Sequence, residues 1–114
     1  MLTEVTEKSF EDEVLNFDIP VFACFTTSWC HSCYPTCLLA DKLAEEYDGR
    51  VKFVKVDIEK SSEVAASYHV IVVPTILLFR DSQVVKELIG FQDRIALRPL
   101  LDSVTAGEDA TGVR

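Results

Sequence analysis

The chain has no apolar run long enough to cross a bilayer, and its first residues hold no basic segment followed by an apolar one. Nothing in it therefore reads as a membrane span or a secretory leader. It is also poor in positive charge, since 11 Lys and Arg against 19 Asp and Glu leave a formal net charge of −8. The basic residues are scattered, whereas a nucleic acid or an anionic membrane surface would need them clustered. Neither is expected as a partner, and a cytoplasmic location is expected. With 114 residues, 48% of them hydrophobic, the chain can build one core and is too short for two ordinary domains. It has no repeat and no linker. Outside one short stretch there is no cysteine: Cys24, Cys30, Cys33 and Cys37 are the whole set. A structural disulfide framework would spread its cysteines to staple distant elements, so this clustering points to redox or metal chemistry.

Trp29-Cys30-His31-Ser32-Cys33 places two of these thiols at the junction of two patterns. Upstream, Pro20 to Thr26 is apolar, β-prone and short, which predicts a buried strand. From Cys33 onward, apolar residues at 33, 37, 40, 43/44 and 47 predict a helix. Cys30 then falls at a helix N-terminus, where unpaired N–H groups and the positive end of the macrodipole favour a thiolate. A thiolate is the nucleophile of thiol–disulfide exchange.

The rest of the chain supplies a frame. Leu2 to Val5 predicts a short edge strand. Ser9 is placed to cap a helix running to about Phe17, with Phe10, Val14 and Phe17 inward. Asp48-Gly49 stops the helix that began at Cys33, and Val51 to Asp57 predicts another buried strand, completing a parallel βαβ unit with a right-handed crossover. Ser61 or Ser62 starts a short helix to Tyr68. Thr75–Phe79 and Val84–Ile89 predict an antiparallel hairpin turning at Arg80 to Gln83. Asp93 can cap a last helix that packs Leu97, Leu100, Leu101 and Val104 on the sheet. Pro99 inside that helix calls for a kink or a late start. Ala106 to Arg114 is small, polar and Gly-containing, as in a frayed tail.

Taken in order, the strand, Trp-Cys-x-x-Cys, the helix, Val51 to Asp57, Val73-Pro74-Thr75, the turn at Asp81-Ser82 and Gly90 resemble a thioredoxin, over roughly Thr3 to Val104. The resemblance implies an α/β thioredoxin fold, a central mixed β-sheet flanked by α-helices, with residues 1–106 as the domain and 107–114 as a flexible tail. It implies a thiol–disulfide oxidoreductase in which Cys30 attacks a substrate disulfide and Cys33 resolves the mixed disulfide. It implies a cis proline at Pro74, with Val73 offering its backbone to an extended substrate. Trp29, Gly90 and Phe91 would complete an apolar docking patch with Ile71 and Val72. Substrates would be protein disulfides, and a disulfide reductase or a small thiol would supply electrons. No bound cofactor is needed, and nothing demands more than a monomer.

The departures from the family pattern carry their own expectations. His31 and Ser32 stand where reducing thioredoxins usually carry Gly-Pro. An imidazolium beside Cys30 would stabilise its thiolate and raise the potential from about −270 mV towards roughly −230 to −180 mV, unless His31 is merely solvated. Cys24 replaces a buried acidic residue that helps deprotonate the resolving thiol. It reads either as a small core residue or as a third redox partner for Cys33. Lys55 matches the lysine near that acid and, without it, either tunes the site or snorkels to solvent. Cys37 is expected to be packed in the core, and His69 to be left-handed unless its turn differs.

Two competing readings stand beside the redox one. Cys30 and Cys33 could be half of a zinc site completed by Cys37 and by His31 or His69, or hold an iron–sulfur cluster shared between chains. Alternatively, the domain binds partners while its cysteines turn over poorly.

Overall fold

The computed structural model describes the backbone of residues 2–113 and the side chains of residues 2–105. Five strands, β1 (Thr3–Val5), β2 (Val21–Thr26), β3 (Lys52–Asp57), β4 (Thr75–Arg80) and β5 (Gln83–Ile89), form one sheet in the order β1-β3-β2-β4-β5. β1 and β2 run parallel to β3, while β4 runs antiparallel to β2 and to β5. The helices are α1 (Glu11–Leu15), α2 (Cys33–Glu46), α3 (Ser62–Ser67) and α4 (Arg94–Val113).

β2 is central because it has no polar face. Val21, Ala23 and Phe25 belong to one core with Phe10, Val14, Val64 and Ala65, which are contributed by α1, its flank and α3. Phe22 and Cys24 belong to the opposite core with Ala40, Leu43, Leu97 and Leu101 of α2 and α4. A strand segment buried on both faces must be apolar throughout, and Val21 to Phe25 are, with the half-buried Thr26 closing the strand. α2 crosses from β2 to the parallel β3, making the expected βαβ unit.

The hairpin turns on Asp81 and Ser82, both with positive φ (54° and 68°), the mirror-image turn whose twist matches the strands. The register slips between Leu78 and Phe79, so that Val85 is an extra residue in β5. His69 is left-handed at φ 58°, the first of its two expected alternatives. Asp93 caps α4 as expected, its carboxylate accepting from Ala96 N–H at 3.0 Å. α4 begins at Arg94, so Pro99 lies well inside it and the late start is not adopted. The backbone stays helical to Val113; the side chains of the segment read as a tail, 107–114, lie outside the described residues.

Two local expectations are corrected. Ser9 does not cap α1; its hydroxyl accepts from Thr6 N–H instead, at 2.9 Å. α1 is a short, wide turn closed by Asn16 N–H donating to the carbonyl of Glu11, five residues back, and it stops before Phe17. Phe17 is thus not inward: it is 37% exposed, with the Lys52 ammonium 3.8 Å from its ring centre. A cation held by a neighbouring strand covers the ring where core would have done so.

Candidate active site

Cys30 lies within the loop that joins β2 to α2, and Cys33 is the first residue of α2. The two form a disulfide with Cα atoms 5.3 Å apart, inside the usual range of about 4.4–6.8 Å. Cys33 is buried beneath the helix start, whereas Cys30 is part-exposed, so an incoming thiol meets Cys30 first. The Cys33 N–H, one of the unpaired donors of the first helical turn, points at Cys30 Sγ at 3.1 Å, and Ser32 Oγ lies 3.5 Å from the same sulfur. Once the bridge opens, both would act on a Cys30 thiolate, whose charge they favour. His31 and Ser32 are both exposed.

Two other segments arrive beside this loop through the sheet. β4 pairs with β2 as Thr75 opposite Phe25, so the Val73–Pro74 segment sits at the same end of the sheet as the cysteine loop. The Val73–Pro74 peptide is cis, as the resemblance implied. Gly90 N–H donates to the Pro74 carbonyl at 2.7 Å, which brings the end of β5 against the proline. Pro74 is buried and Val73 and Gly90 are half-buried, while Phe91 is exposed, as are Ile71 and Val72. Trp29 is 62% exposed, yet its orientation is fixed: the indole N–H donates to Glu59 Oε2 at 2.9 Å. Glu59 follows β3, and its N–H is held by Asp57. Sequence reading missed Glu59, because nothing local marks one exposed glutamate as the partner of a tryptophan thirty residues away.

Cys24 lies directly opposite Lys55 on β3 and is wholly buried. The sulfur it touches is that of Cys37, at 3.9 Å. Cys37 is half-buried rather than fully packed, and it borders two clefts. One of these, of about 330 Å³, is also lined by Cys30, Cys33 and Lys55. The two thiols divide their proton unequally. The Cys24 S–H bond to Cys37 lowers the Cys37 pKa from 9.0 to about 7, with help from the Lys55 charge and the Thr26 hydroxyl and against burial and Asp41. The same bond, together with burial, pushes Cys24 well above its ordinary value. Among the described residues, no three His, Cys, Asp or Glu side chains are grouped to hold a metal ion.

A redox-closed Cys-x-x-Cys at the head of a βαβ helix, with a cis proline at the same end of a mixed sheet, defines a thiol–disulfide oxidoreductase. Comparison with known proteins agrees. The family profile described as Thioredoxin matches residues 1–103. The chain is 35% identical over 98 residues to Thioredoxin 1 of Synechococcus elongatus, covering 86% of this chain and 92% of that one. It is 33% identical over 101 residues to the thioredoxin of Porphyra purpurea (89% and 94% covered) and 32% over 99 residues to Thioredoxin 1 of Nostoc sp. (87% and 92%). The chain belongs to the thioredoxin family and is an oxidoreductase of protein disulfides. Among the described residues, no helix is long and apolar enough to cross a membrane.

Proposed function

We propose that Cys30 is the attacking thiol and Cys33 the resolving one in a cycle that exchanges electrons with protein disulfides. The observation that carries the assignment is the asymmetry of the pair: a part-exposed sulfur facing a helix N–H, bridged to a buried one. Cys30 thiolate attacks a substrate disulfide and releases one substrate thiolate. Cys33, deprotonated, then attacks Cys30 Sγ and releases the other, so two electrons pass to the substrate and the Cys30–Cys33 bridge forms. A disulfide reductase or a small thiol reverses that step.

Docking falls to Trp29, Val73, Pro74, Gly90 and Phe91. An extended substrate segment would pair with the Val73 backbone, while the apolar side chains of Trp29 and Phe91 exclude water around the reacting sulfurs. His31 and Ser32 set the potential from beside Cys30. Cys24 and Lys55 act from beneath it, on the cleft that the disulfide shares with Cys37. The protein works in the cytoplasm as a monomer, and residues 1–106 form the active domain, with 107–114 a tail beyond the family match.

The test is reduction of insulin disulfides with dithiothreitol as electron source, followed by precipitation of the freed chain. Cys30→Ser should abolish catalysis. Cys33→Ser should accumulate a mixed disulfide on Cys30 that mass mapping can locate. A Cys30→Ser variant as active as the parent would sink the assignment.

A further inference from the structure

Two of the four cysteines take no part in the Cys30–Cys33 bridge, and the fold nevertheless brings them together. Cys24 comes from the central strand and Cys37 from the second turn of α2, thirteen residues apart, with their sulfurs 3.9 Å from each other. Only one of the two has access: Cys24 is wholly enclosed, and Cys37 opens on the cleft that reaches Cys30 and Cys33. We propose that Cys24 and Cys37 are a second dithiol couple, which low-molecular-weight disulfides of the glutathione class oxidise through Cys37.

The chemistry divides between the sulfurs as their surroundings require. Cys37 carries the thiolate, because the Cys24 S–H, the Thr26 hydroxyl and Lys55 all favour its charge while Asp41 alone among the neighbouring acids opposes it. With a pKa of about 7, about half of it is thiolate at neutral pH, near the optimum for an attacking thiol. Its attack on the small disulfide forms a Cys37 mixed disulfide and releases one small thiolate, which takes a proton from solvent. That step removes the negative charge that had held the proton on Cys24, so two of the three causes raising the Cys24 pKa vanish; burial remains, opposed by the Lys55 charge. Cys24 attacks Cys37 Sγ, and the proton it loses goes to the departing small thiolate, which leaves as the second small thiol. Two protein thiols and one small disulfide thus become one protein disulfide and two small thiols. The sulfurs must approach by about 1.9 Å from their 3.9 Å separation to reach bonding distance. That approach falls on side-chain rotation and on the first turns of α2. Cys37 precedes the tightly buried Ala40 and Leu43, and it borders open clefts on its outer side.

The second couple uses neither Cys30 nor Cys33 in its own chemistry, although it borders the same cleft, so the test is run with those two thiols present and with them removed. Native parent protein and a Cys30→Ser/Cys33→Ser variant are equilibrated with glutathione disulfide and glutathione in varying ratio, acid-quenched, alkylated and mapped by mass spectrometry. The expected result is reversible loss of two alkylatable thiols in the variant, with the peptides containing Cys24 and Cys37 cross-linked. The parent should lose all four thiols in two bridges. Cys24→Ser should stop the sequence halfway, leaving glutathione on Cys37. Two outcomes overturn the proposal: both thiols of the pair staying alkylatable at every ratio in folded parent protein, or Cys37 of the parent ending as a stable glutathione adduct beside a free Cys24. Should the double variant fail to fold, the parent mapping decides alone, because each bridge is assigned to its own peptides.

Discussion

Replacing Cys24 by Ala removes the largest single cause of the low Cys37 pKa, the S–H bond across 3.9 Å. If the loss returns Cys37 from about 7 to its ordinary 9.0, the thiolate fraction at pH 7 falls from about one half to about one hundredth. Each remaining thiolate is more nucleophilic, however. Over two pKa units a Brønsted slope of about 0.4–0.5 raises its reactivity roughly 6–10-fold. The net expectation is alkylation of Cys37 some 5–8-fold slower than in the parent at pH 7, and roughly 6–10-fold faster above about pH 9.5, where both are ionised. The two rate–pH profiles should therefore cross. The assay is iodoacetamide labelling with the Cys30–Cys33 bridge intact, so that Cys37 is the one thiol left in the variant, with its peptide quantified by mass. The fold should persist, since deleting one buried sulfur costs about 1 kcal/mol. A variant profile that still bends near pH 7 and never crosses the parent would refute the argument that Cys24 sets the Cys37 thiolate.

Three further expectations rest on other contacts. Tyr47→Phe removes a hydroxyl that donates to Asp102 at 2.6 Å and accepts from Arg98, tying α2 to α4, and should cost about 1–2 kcal/mol, seen as a lower urea midpoint. No change in midpoint would mean that water replaces the contact without loss. Gly90→Ala forces a side chain onto φ +89°, where a new Cβ would meet nothing within 4 Å. The cost is conformational alone, about 1–2 kcal/mol or a Tm lower by roughly 4–8 °C, and Gly90→Asn should recover part of it. His31→Ala should lower the reduction potential of the Cys30–Cys33 couple by about 20 mV, equivalent to losing about 1 kcal/mol of thiolate stabilisation; an unchanged potential would show that His31 is only solvated.

Local features of this fold could be read from the chain and contacts across it could not. The apolar run 21–25, the helical spacing from Cys33 and the two-residue turn at Asp81-Ser82 each follow from neighbours in sequence, and each is where it was expected. The cysteine motif and Val73-Pro74 are legible for the same reason, with their meeting supplied by the family resemblance. Phe17 failed because a periodic pattern cannot say where a short turn ends or that Lys52 will cover the exposed ring. Ser9 failed because its hydroxyl had a nearer donor in Thr6. The Cys24–Cys37 contact was missed because Cys33 offered the more obvious partner. Only the register of β2 beneath α2 decides which helical turn lies over Cys24.

Trp29 apart, the reacting bond and the surface beside it come from separate parts of the chain. Residues 21–46 supply the strand, loop and helix that carry the cysteines, whereas residues 71–91 supply the proline, the hairpin and the exposed Ile71, Val72 and Phe91. Their seam is the antiparallel pairing of β2 with β4, backed by the core that Ile76 and Leu78 of β4 share with Ala40 and Leu43 of α2. Partner choice can therefore drift by substitution in the hairpin segment while the electron chemistry stays untouched. A one-residue insertion in β4 would shift the seam and separate the two at once.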